Sequence, residues 1–183
     1  FLEDDFRMCP SGAATMAYMI ARADYVRPDW NAITLSFGLN GVVLRWPDVQ
    51  ALEGYYREHL SRRPPDHLIV EWLAGEREQS AATKRGRPHF AFRYNLLEHF
   101  GAISTLRNVA SPHYAQCYDE LNAGVVFDVV AWKPECRHDD VWPCDAPGSD
   151  RAVAGPHTRI SFADLAAKAK ATTVQTWVNP AGV

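Results

Sequence analysis

No stretch of this chain is apolar enough to cross a bilayer. Its apolar runs, such as 125–127 and 129–132, fall far short of the ~18 residues a membrane helix needs. No heptad persists and no internal repeat is present. Gly, Pro, Trp and Tyr are spread along the chain, which sets aside a coiled coil or a low-complexity segment. Excess positive charge is also missing: 19 Lys and Arg stand against 22 Asp and Glu, for a net charge of −3. That balance argues against a nucleic-acid backbone as partner. Phe1 is not a Met, and neither a charged nor an apolar leader segment follows it. Phe1 and Leu2 read as the end of a buried strand that runs into acids. The natural protein is therefore expected to begin upstream, with this chain a processed piece or a fragment. None of the four cysteines forms a C-x-x-C pair.

What is present suits one globular domain of 183 residues, 47% hydrophobic and 11% aromatic. Ser11 is a plausible N-cap, and Met16, Ala17, Ile20 and Ala23 recur at helical spacing over 13–26. Residues 31–37 and 42–44 suit strands flanking a turn bracketed by Gly38 and Gly41. Trp46, Pro47 and Asp48 open a second helix, with Val49, Leu52, Tyr55, Tyr56 and Leu60 as its apolar stripe. Residues 62–65 end it with two arginines and two prolines, and 67–74 reads as a short buried helix. The polar stretch 75–88 is expected as a surface loop, 89–94 as an alternating strand, 95–107 as irregular, and 125–132 as another strand. Prolines and glycines make 133–157 a linker, and 161–171 reads as an amphipathic helix. The expected fold class is α/β, with a main domain over 1–132 and a disulfide-bearing tail with a terminal helix over 133–183.

Several residues could carry chemistry. Glu3, Asp4 and Asp5 offer oxygen ligands to a hard cation such as Mn²⁺ or Mg²⁺, or form a solvated acidic turn. Gly38 and Gly41 permit close backbone approach to a ligand, or close an ordinary hairpin. Asp66, after two prolines and before an apolar helix, reads as an N-cap or as a fixed general base facing a cleft. His99 reads as a metal ligand or as a satisfied structural histidine. Arg107 could reach a phosphate. Zinc is poorly served by Cys136, His138, Asp139, Asp140 and Cys144. Disulfides in an oxidising lumen suit the cysteines better. Cys136–Cys144 closes a short loop and leaves Cys9–Cys117, one of the three connectivities that four cysteines allow.

The order of these features forms a pattern. Leu2-Glu3-Asp4-Asp5 comes first, then a Trp30-led strand ending Ser36-Phe37-Gly38-Leu39-Asn40-Gly41. The Asp48 helix follows, then Pro65-Asp66 before an apolar helix. Last come Arg93-Tyr94-Asn95-Leu96-Leu97-Glu98-His99-Phe100-Gly101 and Ser104-Thr105-Leu106. Over residues 1–107 the series resembles the C-terminal half of the catalytic domain of the alpha-mannoside beta-1,4-N-acetylglucosaminyltransferase IV family. That family has L-E-D-D, a D-W-x-x-L-E-F-S-x-L-G-x-I-G strand and turn, P-x-D-W-L-L and L-F-Q-H-x-G-x-x-S-S-L. The chain departs from it where His67-Leu68-Ile69 replaces Trp-Leu-Leu, and where Thr34-Leu35 leaves no Glu before the serine. The resemblance therefore implies a divergent relative.

It also implies the C-terminal part of a GT-A fold with a mixed sheet, a Golgi-lumen location and a membrane anchor only in a missing N-terminal segment. It implies a UDP-sugar donor, a glycan acceptor and inverting transfer of N-acetylglucosamine or a related sugar. Asp5 and His99 would ligate Mn²⁺ or Mg²⁺, and Glu3 and Asp4 would contact the donor's ribose and order the motif. Asp66 would take the acceptor proton, the turn at Gly38 and Gly41 would wall the donor, and Arg107 would serve the phosphates. Two other readings compete. One is a non-catalytic domain, either a glycan- or nucleotide-binding pseudo-enzyme or an inactive fragment; the other is a metal-dependent hydrolase built on Glu3, Asp4, Asp5 and His99.

Overall fold

A computed structural model describes residues 1–100, 115–121, 132, 136 and 140–144. The expected strand over 125–132 (Trp132 excepted), most of the 133–157 linker, the 161–171 helix and Arg107 lie outside the described residues, as does the boundary drawn at 132/133.

The elements run β1 (Phe6–Met8), α1 (Gly12–Val26), β2 (Ala32–Thr34), β3 (Val42–Leu44), α2 (Trp46–His59) and α3 (Pro65–Ala74). They continue with α4 (Glu78–Lys84), β4 (His89–Phe92), β5 (Leu97–His99) and β6 (Val141–Trp142). Four strands form a mixed sheet in the order β3-β2-β4-β6. Within it β2 and β4 pair in parallel, Ile33 opposite Phe90, and the other two pairs are antiparallel. β1 and β5 form a separate antiparallel ladder with Phe6 opposite His99. Helices together with a mixed sheet place the chain in the α/β class. Among the described residues no helix is long and apolar enough to cross a membrane.

The apolar residues sort into two main cores. One packs Met19 and Ala23 of α1 against Ile33, Phe90 and Phe92, with Trp30, Leu35 and Leu96 around them. The other packs Leu52 and Tyr55 of α2 and Leu68, Ile69, Trp72 and Leu73 of α3 against Ala32, Val42 and Leu39. β4 is buried at all four positions, as befits a strand covered on both faces; the expected alternation is absent.

Several local expectations are corrected. Residues 1–3 are not in a strand, and Phe1 and Leu2 are exposed; β1 starts after the acids, at Phe6. Met19 is fully buried while Ala17 is exposed, so the apolar stripe of α1 is rotated from the expected one. On α2, Val49 and Leu60 are exposed, and Asp48 is buried in an ion pair with Arg87 at 2.6 Å. The expected loop 75–88 contains α4. This helix lacks an apolar stripe, and its first turn is fixed where the Arg77 backbone N–H donates to the Ser80 hydroxyl at 3.1 Å. Gly75, at φ 72°, ends α3 with its N–H on the carbonyls of Glu71 and Trp72. Only glycine adopts that left-handed turn without strain. Both disulfides are as expected, Cys9–Cys117 and Cys136–Cys144, and no described cysteine is free.

Candidate functional site

The β1–β5 ladder is the reason Asp5 and His99 meet. Asp5 sits one residue before β1 and His99 ends β5. Antiparallel register then sets the two side by side although 94 positions separate them. His99 Nε2 lies 2.9 Å from Asp5 Oδ2, and the Phe100 N–H donates to the Asp5 carbonyl at 3.0 Å. The Phe6 ring meets the His99 imidazole edge-on, with centroids 4.9 Å apart. His99 is nearly buried and Asp5 half exposed. The second carboxylate oxygen of Asp5, Oδ1, is buried and has no hydrogen-bond partner among the described residues. An anionic oxygen shut away from both water and donors is costly.

Glu3 joins the same surface through the glycine turn. Its N–H donates to Asn40 Oδ1 at 2.8 Å, and Asn40 Nδ2 donates back to Glu3 Oε2 at 3.0 Å. Leu35 N–H closes the turn on the Gly41 carbonyl at 3.0 Å. Gly41, at φ +70°, has Leu97 Cδ1 only 3.0 Å from where a Cβ would stand, and Ser36 Cβ 3.2 Å away. A side chain there would push the turn off β5. Gly38, at φ +68°, faces open space. Asp4 is exposed and makes no hydrogen bond or ion pair among the described residues. Beneath the turn Asn95, fully buried, accepts from the Ser36 hydroxyl at 2.6 Å. Its Nδ2 reaches the carbonyls of Leu97, Ala115 and Gln116 at 2.7, 2.9 and 3.0 Å.

Asp66 stands apart from this group. It lies in the first turn of α3, where Pro64 is the N-cap and no side chain caps the helix, so Asp66 is not the cap. Proline has already removed an N–H from that turn, which leaves less for a cap to satisfy. The nearest ionic partner of Asp66 is His67, 3.9 Å away. The Tyr56 hydroxyl donates to the Pro65 carbonyl at 3.0 Å. Burial, followed by the charge of Asp66, pushes that hydroxyl up to about 12. No hydrogen bond or ion pair among the described residues links Asp66 to Asp5, Glu3 or His99. The link between them is packing: Leu39 of the turn shares a core with Leu68 and Ile69 of α3.

The structure thus sets Asp5 against His99, ties Glu3 to the glycine turn and Gly41 to β5, leaves Gly38 facing open space, and sets Asp66 on a neighbouring helix. Sequence reasoning missed Asn40 and Asn95, which hold this group in place. The signal for Asn40 is a polar side chain between the two glycines of a turn, which on local pattern alone reads as turn chemistry. Among the described residues no group of three or more His, Cys, Asp or Glu is placed to hold a metal ion. The Asp5–His99 pair fits a smaller share of a metal's coordination: one carboxylate with an unspent oxygen beside one imidazole. Mg²⁺-type ions bound with phosphates take only one or two protein carboxylates and fill the rest with phosphate and water oxygens. No family model matches the chain, and no curated protein or solved structure matches it.

Proposed function

We propose that the chain is the C-terminal part of a GT-A-type, metal-dependent, inverting glycosyltransferase. It would move N-acetylglucosamine or a related sugar from a UDP-sugar to a glycan acceptor in the Golgi lumen. One observation carries the reading: Asp5 and His99, 94 positions apart, stand 2.9 Å from each other beside an unpartnered carboxylate oxygen. Two residues that the family resemblance names as ligands are neighbours only because β1 and β5 pair. Glu3, tied to Asn40, completes an acidic edge along the glycine turn.

Asp5 and His99 would hold Mn²⁺ or Mg²⁺, whose chemistry when bound is to neutralise the departing diphosphate. Glu3 and Asp4 face the donor's ribose side in this reading, and the turn at Gly38 and Gly41 forms a wall that lets backbone approach the sugar. Asp66 is the base that takes the acceptor proton, a role typically worth ~10²–10⁴-fold in rate. It is half exposed, so an acceptor hydroxyl can reach it. Arg107 keeps its phosphate role as part of the proposal.

The test is Mn²⁺-dependent transfer from UDP-N-acetylglucosamine to a branched N-glycan, followed in wild type and two variants. Asp66→Asn is expected to leave Mn²⁺-dependent donor binding intact and to lower transfer by ~10²-fold or more. A rate above a tenth of wild type would remove Asp66 as base. His99→Ala is expected to raise the Mn²⁺ concentration needed for half-maximal donor binding; an unchanged titration would take His99 out of the site. The separation of Asp66 from the Asp5–His99 pair favours a second reading, a donor- or glycan-binding domain without transfer. Mn²⁺-dependent release of UDP decides between them, since a binding domain releases none.

A further inference from the structure

Away from the candidate site, three arginines converge on one buried carboxylate. Glu71 of α3 has a relative side-chain exposure of 2%, while Arg62, Arg63 and Arg77 stand at 30, 44 and 49%. Arg62 reaches Glu71 through both terminal nitrogens, one of them 3.0 Å from Oε2. Arg63 Nη1 is 2.9 Å from Oε2, and Arg77 Nε donates to Oε1 at 3.1 Å. The Tyr55 hydroxyl adds a further donor to Oε1. A carboxylate offers about four lone-pair sites, so Glu71 is saturated. It still neutralises only one of the three positive charges. Among the described residues the one other carboxylate that pairs with these arginines is Glu76, exposed and 3.8 Å from Arg63.

Crowding three like charges costs free energy that a single buried acid does not repay. A saturated carboxylate needs no third guanidinium. The outer N–H groups of Arg63 and Arg77 have no partner among the described residues, and Glu71 holds both planes in place. Guanidinium forks fixed in advance match an oxyanion two bonds at a time and lose little side-chain freedom when they bind one.

We propose that Arg62, Arg63 and Arg77 form a receptor for a phosphate-type oxyanion, with Glu71 as the fixed post that aligns them. Glu71 lies five residues after Asp66, about 140° round the helix at 3.6 residues per turn. No hydrogen bond or ion pair among the described residues joins Asp66 to Glu71 or to the three arginines, and the receptor stands whether or not the transferase reading does. Its ligand is free phosphate or a phosphate ester carried on a sugar.

Calorimetric titration of the whole chain in EDTA, with inorganic phosphate and then with a hexose 6-phosphate, tests this. Saturable binding is expected. Arg63→Gln combined with Arg77→Gln should weaken it about tenfold or more, since two bidentate donors are lost. Glu76→Gln should tighten it about threefold by removing an exposed competitor for Arg63. Equal affinity for both probes assigns the site to free phosphate, and tighter binding of the ester assigns it to phosphorylated sugar. Absence of saturable binding overturns the proposal. So does an unchanged affinity in Glu76→Gln, a surface variant that keeps the fold even if the double variant does not.

Discussion

The four-stranded sheet and the two-stranded ladder solve the same problem with different means. In the large sheet β2 and β4 lie side by side at its centre, and Ile33, Phe90 and Phe92 are covered by apolar neighbours on all sides. The ladder has less cover: in β1 Phe6 is half buried and Arg7 and Met8 are exposed, and only on β5 are Leu97 and the His99 side chain shielded. An isolated two-stranded pair is marginal in water. The β1–β5 pair is instead tied down at its inner end. Cys9 follows β1 directly and is bonded to Cys117, while Asn95 sits just before β5 and gathers three carbonyls and a hydroxyl. The ladder that carries the candidate ligands leans on side-chain ties more heavily than the well-packed large sheet does.

The largest expected effect comes from cutting the covalent tie. The Cys9–Cys117 bond spans 108 positions, and Cys136–Cys144 only 8. Loop-closure entropy puts the first at about 4–5 kcal/mol and the second at about 2–3 kcal/mol. Cys9→Ala with Cys117→Ala should therefore lower stability more than the equivalent change at the short loop, as read from urea midpoints. Equal losses would mean that the ladder does not depend on its disulfide. A smaller effect is expected from Asn95→Ala. It leaves the Ser36 hydroxyl and three backbone carbonyls short of a buried partner, at a cost of about 3 kcal/mol. Amide exchange should then rise at Leu97 and His99 and stay unchanged at Phe90. Equal opening of both sheets would break the comparison.

At neutral pH the smallest effect belongs to the large sheet, and it shows only in acid. His89, at the start of β4, is buried, and its Nε2 lies 2.9 Å from the Thr34 hydroxyl. Burial, then the charge of Lys84, lowers its pKa from 6.5 to about 3. The unfolded chain takes up this proton near pH 6.5 and the folded chain does not. The stability it contributes is thus full above pH 6.5 and is lost progressively as pH falls toward 3. His89→Gln should flatten the stability profile across that window and leave the Cys9–Cys117 comparison at pH 7 unchanged. A profile of unaltered slope would show that His89 does not titrate with folding. Glu71 adds a separate loss lower down. The Arg62 guanidinium foremost, and the Tyr55 hydroxyl after it, draw its carboxyl from 4.5 to about 2 against the opposing effect of burial.

The parts of the fold that local pattern controls were legible. α1, α2, α3, β2, β3 and the turn between the two glycines stand close to where periodicity and turn residues put them. The elements that depend on distant partners were not. β1 and β5 are three residues each, and each exists only as the other's pair; no local window of sequence contains both. α4 has seven residues and no apolar stripe, so it offers no period to read. Of the candidate site, Asp5 and His99 stand side by side and Glu3 is tied to the glycine turn through Asn40, while Gly38 faces open space. What escaped was the means of assembly, because Asn40 and Asn95 act through hydrogen bonds across the turn rather than through any spacing. On local pattern Arg62 and Arg63 mark only the end of a helix, and their common partner Glu71 lies inside an apolar run.

The span of the long disulfide also sets a timetable for biosynthesis. Cys9 leaves the ribosome 108 residues ahead of Cys117. At about 5–20 residues per second, it waits on the order of ten seconds as a thiol with no native mate. Asp5 waits nearly as long for His99, 94 positions behind it. α2, α3 and the β2–β3 hairpin, by contrast, close on partners made within moments of them, while α1 waits for Phe90 and Phe92. The newborn chain thus acquires its helices early and its candidate centre late, and an oxidant that arrives too soon has Cys9 to itself.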